Sequence, residues 1–223
     1  MKDWRIFPAM ALSLAITGVV CASTPPLADV RIATDNDTIR RGAETVITVC
    51  MNCHSLKYVK FRDLLDIGVS RDSLDLWKGD KDLNASLIGY TPAEMAKEIY
   101  GVIPPDLSLI TAARAHGGRY VYSLLTGFYV NDSGSTDNHV FPGITMPDVL
   151  GYTFVSDSKD RDAIEKNAGE VAGFLVWAAD PDAELRKKIG VAVIIYLIIL
   201  TALLYVWKRR IWKGLDQDGN NGI

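Results

Sequence analysis

Nineteen consecutive residues without a charge, Ile189 to Trp207 (IGVAVIIYLIILTALLYVW), constrain this chain more than any other feature. At about 1.5 Å of rise per residue, a helix of that length nearly matches the roughly 30 Å hydrocarbon core of a bilayer. The run reads as one membrane span near the C-terminus, since a buried soluble helix of this length would carry a polar break. Basic residues flank both ends: Arg186, Lys187 and Lys188 before it, and Lys208, Arg209, Arg210 and Lys213 after it. A second apolar run, Ile6 to Val20, follows the opening MKDWR and leads to the small-residue site Val20-Cys21-Ala22-Ser23. That is the pattern of a secretory signal, with an uncleaved anchor as the alternative. Cys21 then falls within the discarded segment. The signal settles the topology: everything before residue 189 is exported, the KRR cluster stays in the cytoplasm, and Tyr205, Trp207 and Trp212 form an aromatic belt at the inner face.

The expected organisation is a signal peptide at 1–22, an exported domain at 23–184, an anchor with its flanks at 185–213, and a short cytoplasmic tail at 214–223. Between Ser23 and Leu185 stand 24 acidic against 15 basic residues, a net of −9 that the whole-chain value of −3 conceals. Such a head repels nucleic acid and attracts a basic partner. The tail, Asp216 to Gly222, starts like a calcium loop but lacks the closing glutamate, and reads as a disordered end.

The exported part holds only two cysteines, in Cys50-Met51-Asn52-Cys53-His54. A C-x-x-C pair serves as a redox dithiol, as half of a zinc site, or as a haem attachment site, and the adjacent histidine separates these. Zinc would need His116 and His139, far off in sequence, as its remaining ligands. In C-x-x-C-H the two thiols can form thioethers to the vinyl groups of a haem while the imidazole reaches the iron. Haem attachment is therefore the reading, and it agrees with export.

Iron held by His54 needs a sixth ligand or an open face, and the candidates are Met51, Met95, Met146, His116 and His139. Met51 lies inside the attachment loop. Thr91 and Glu94 suggest a capping box with Pro92 in the first helical position, so that Met95, Ile99 and Val102 fall on one face and read as core packing. His116, before Gly117-Gly118, looks like a helix end. His139, in the polar stretch NDSGSTDNHV, reads as exposed. Met146 sits between prolines in FPGITMP, a loop stiff enough to hold a thioether against iron, and leads the group.

With these features in place the chain resembles the cytochrome c1 family, the haem subunits of cytochrome bc1 complexes. The resemblance rests on Arg40-Arg41-Gly42, CMNCHSLKYVKFRDL, PPDLS from Pro104, RAHGGRYVYSLLTGF from Arg114, FPGITMP around Met146, and FLVWAADPDAELRKKIG leading into the span. It implies one covalently attached haem c, with His54 and Met146 as axial ligands and Arg114 and Tyr120 against the propionates. It implies electron transfer from the Rieske iron-sulfur protein to a cytochrome c acceptor, with cytochrome b as a further partner and lipid around the anchor. The setting it implies is a bacterial inner membrane, with the haem domain in the periplasm. The expected fold is all-α, a class I cytochrome c domain with one C-terminal transmembrane helix; helices are expected at 38–50, 92–101, 106–115, 119–128 and 160–179. Two alternatives stand beside it. One is a free-standing membrane-anchored cytochrome serving an oxidase or denitrification enzyme. The other is a haem sensor or catalyst with an open sixth position.

Overall fold

The fold grows from a helix start that the sequence writes plainly. In this computed structural model, which describes residues 27–220 and side chains as far as residue 212, helix α1 spans Asn36–Thr48. The expected signal at 1–22, with Cys21, lies outside the described residues. The carboxylate of Asp35 caps α1, accepting from the Thr38 amide at 3.0 Å and its hydroxyl at 2.7 Å, which satisfies donors that the first turn leaves free. Ile39, Ala43, Val46 and Ile47 recur at helical spacing and are buried. They face α6, Ser158–Ala179, whose Ala168, Val171, Ala172, Phe174 and Leu175 complete the same core. The two helices approach closely because Gly42 has no side chain: a Cβ there would run into the Glu170 carbonyl and the Phe174 Cβ. Next door, Arg41 Nε meets Glu170 Oε1 at 2.5 Å.

Between these helices come α2 (Arg71–Lys78), α3 (Ala93–Tyr100), α4 (Ile110–Ala113) and α5 (Gly118–Leu125). Two small antiparallel sheets accompany them: β1 (Leu56–Lys60) with β2 (Ser86–Leu87), and β3 (Phe128–Val130) with β4 (Thr136–Asn138). The molecule is mainly helical, as expected, and the sheets serve as braces. In the second, Phe128 pairs with Asn138 and Val130 with Thr136, so the stretch read as a polar loop is a hairpin whose turn is closed by Asn131 Oδ1 accepting from the amides of Ser133 and Ser135.

Several expectations need correction. The helix expected at 106–115 shrinks to α4, because residues 105–108 are strapped to the start of β1. Leu107 N donates to Ser55 O at 2.8 Å, and Asp106 and Ser108 accept from the amides of Lys57 and Tyr58 at 3.0 and 3.1 Å. Helix α3 has no capping box: Pro92 occupies its cap and the Thr91 hydroxyl donates to Asn52 O instead. That tether turns the helix so that Ala96 is its buried residue, while Met95, Ile99 and Val102 are 52%, 61% and 49% exposed; their spacing gave the face and the tether gave its direction.

The break at Asp180–Asp182 separates α6 from α7, Ala183–Asn220. Within α7 the stretch Ala183–Trp212 is long and apolar enough to cross a membrane, and its large apolar side chains are exposed. The backbone stays helical through Asn220, where the sequence suggested disorder.

Candidate functional site

Helix α1 runs straight into the Cys50–His54 turn, and that turn gives each of its residues a separate task. The amides of Cys53 and His54 both donate to the Cys50 carbonyl, at 3.1 and 2.9 Å, coiling the five residues tightly. Met51 points into the core and is fully buried, so it is unavailable as a ligand. Asn52 reaches back with Nδ2 to the carbonyls of Thr48 and Val49, 3.1 and 3.0 Å away, and closes the C-terminus of α1. The thiols of Cys50 and Cys53, which are not bridged to each other, and the His54 ring are left on the wall of a cavity of about 490 Å³. That volume lies within the roughly 300–1,000 Å³ of small-molecule and cofactor sites.

His54 is oriented from outside its own segment. Its Nδ1 lies 2.7 Å from the Pro105 carbonyl, which has no proton to give, so Nδ1 carries the hydrogen and Nε2 keeps its lone pair. This is the arrangement that prepares an imidazole to ligate a metal. Burial holds the ring below its ordinary pKa, against the opposing pull of the Pro105 bond, so the neutral form prevails. Behind it Gly89 lies so close that a Cβ would come within 2.9 Å of the His54 carbonyl. Burial also pushes the Cys50 thiol up to about 11, while the Cys53 sulfur sits 3.6 Å from the Tyr100 hydroxyl.

All six residues singled out from the sequence, Cys50, Cys53, His54, Arg114, Tyr120 and Met146, line this one cavity. Val102, Ile103, Ile110, Leu124, Phe141 and Leu175 supply apolar wall between them. Arg114 is set over the Tyr120 ring, its guanidinium 5.7 Å from the centroid. The turn between them carries His116 at φ 68°, a left-handed conformation unusual for a residue with a side chain, and His116 is exposed. His139 is exposed too, stacked flat on Tyr129 at 4.1 Å. Of the five candidates for a sixth ligand, Met146 alone lines the cavity.

The sequence reading missed Pro105, Gly89 and Tyr100. The first lies within PPDLS, whose only signal is its likeness to the family; neither Gly89 nor Tyr100 had any signal beyond residue type. Two thiols, an oriented imidazole with a free Nε2, a thioether, an arginine suited to carboxylates and otherwise apolar walls together fit a haem.

Comparison with known proteins agrees with this chemistry. The family model described as Cytochrome C1 family matches residues 28–87 and 80–215. The chain is 32% identical to "Cytochrome c1-2, heme protein, mitochondrial" of Solanum tuberosum, over 90% of this chain and 88% of that one. It is 29% identical to "Cytochrome c1" of Rhodospirillum rubrum, over 82% and 84%. A protein of Nitrosomonas europaea described as "Ammonia monooxygenase gamma subunit" is 26% identical, over 81% and 85%. Among solved structures, a chain of "Hyperthermophilic respiratory Complex III" aligns with a TM-score of 0.47 at 19% identity, covering 79% of this chain and 75% of that one.

Proposed function

Since this chain belongs to the cytochrome c1 family, we propose that it is the haem subunit of a cytochrome bc1 complex, carrying one covalently attached haem c. When bound, the haem supplies reversible one-electron exchange at its iron; binding, orientation and exclusion of water fall to the protein. Cys50 and Cys53 hold the group by thioethers. His54, oriented by its bond to the Pro105 carbonyl, would offer Nε2 to the iron. Met146 would offer the iron a thioether, whose softness would favour the reduced state and raise the potential. Arg114, whose planar fork suits a carboxylate, and Tyr120 meet the propionates. The apolar wall keeps water from the iron.

The observation that carries this reading is the convergence of Cys50, Cys53, His54 and Met146 on a single cavity. The electron arrives from the Rieske iron-sulfur protein and leaves to a cytochrome c, with cytochrome b beside the α7 anchor. Residues 1–22 act as a signal peptide, residues 23–184 form the exported head on the periplasmic side of a bacterial inner membrane, 185–213 anchor it, and 214–223 end in the cytoplasm.

The test is acid-acetone extraction of protein matured with haem. Colour stays with the wild-type chain, Cys53→Ala retains a single thioether, and His54→Ala yields little stable holoprotein. Haem washing out of the wild type would overturn the assignment, and co-purification with cytochrome b in mild detergent separates a complex subunit from a free-standing cytochrome.

A further inference from the structure

The stretch from His139 to Gly151 that carries Met146 holds no helix or strand, although an axial ligand needs a fixed sulfur. Polar side chains take over that task at both ends. Upstream, Asn138 is fully buried, donates to Leu124 O at 2.8 Å and accepts from the amides of Val140 and Phe141 at 2.9 and 3.2 Å. Asp137 Oδ1 takes the Gly143 amide at 2.8 Å. Downstream, Asp148 Oδ2 accepts from the Thr153 amide at 2.7 Å and from the Thr153 hydroxyl at 2.9 Å. The other oxygen, Oδ1, is buried without a partner.

A buried carboxylate oxygen without a donor is destabilising, and such a group calls for a reason to be there. The reason lies two residues back. Pro147, whose ring fixes φ, joins Asp148 to Met146, so fixing the carboxylate fixes the thioether through a stiff connector. Pro147 and Val149 line the haem cavity on either side of Asp148. We propose that Asp148 is a positioning residue: by gripping Thr153 it holds the Met146 loop shut over the cavity. The inference rests on the reading of Met146 as the axial ligand.

The experiment uses full-length haem-loaded protein in detergent and reads two signatures. These are the charge-transfer band of methionine-ligated ferric haem, and the fraction of ferrous haem that binds carbon monoxide. Asp148→Ala should weaken the band and raise carbon monoxide binding by roughly tenfold, the scale of one lost charge-assisted hydrogen bond. Asp148→Asn, which keeps a carbonyl acceptor for Thr153, should restore closure, and Thr153→Val, which removes the hydroxyl donor alone, should fall between. Leu74→Ala, in the core at 1% exposure, should destabilise the fold without admitting carbon monoxide. The proposal is overturned if Asp148→Ala stays closed, if Asp148→Asn opens equally, or if Leu74→Ala opens as far. Met146→Leu separates the two readings. If it stays closed, the ligand assignment fails; if it opens while Asp148→Ala does not, only the role of Asp148 fails.

Discussion

Met146 and Met95 differ in what surrounds them. Met146 packs against the core and lines the cavity of about 490 Å³, whereas Met95 is 52% exposed on α3. Replacing Met146 by His should therefore lower the midpoint potential, on the order of 0.1 V within the roughly 0.8 V that axial ligation spans, while the covalent link survives. Met95→Leu should leave the potential alone and change stability by less than about 0.5 kcal/mol. Redox titration of both variants decides between them. Asp137 gives a pH-dependent test. The amides of Asn138 and Gly143 hold its carboxyl below the ordinary 3.8. Because the folded value is the lower one, its stabilisation is present above 3.8 and lost as pH falls through the folded value. Urea midpoints of wild type and Asp137→Asn should then differ at about pH 6 and converge as the pH falls below the lowered folded value.

Among the elements, the α1–α6 contact bears most of the fold, and Gly42 is where it is tightest. Gly42→Ala places a methyl against backbone that has nowhere to retreat, and should cost about 1–3 kcal/mol, read from denaturant midpoints of the holoprotein. The helical elements were largely legible from local signals. Asp35 before an apolar periodic run announces α1, and Ser70 with Gly79 brackets α2, a helix absent from the expected set, in the same way. What stayed hidden was set by long-range pairing. The carbonyl that orients His54 comes from Pro105, and the outward turn of α3 follows from Thr91 bonding to Asn52. No window of local sequence contains both partners. The candidate site was legible as a set of residue types, because thiols, imidazole and thioether have few other uses in that order. Its supports, Gly89, Asn138 and Asp148, were not, because a glycine, an amide or a lone carboxylate gains its role only from what packs against it.

At the scale of the molecule, charge and tether govern exchange with partners. With 24 acidic against 15 basic residues in the head, electron transfer to a basic soluble cytochrome should slow as salt rises, since screening shortens from about 10 Å at 0.1 M to about 3 Å at 1 M. Stopped-flow traces across that range measure it; a flat profile would mean that charge does not hold the partner. Only Asp180 to Asp182 separate α6 from α7, and an Arg186–Asp180 ion pair crosses even that gap. Three residues span at most about 10 Å. A head on so short a leash reaches no further than about 10 Å from the start of α7. Donor and acceptor would then have to come to it, and the rate of traffic would belong to the mobility of its neighbours.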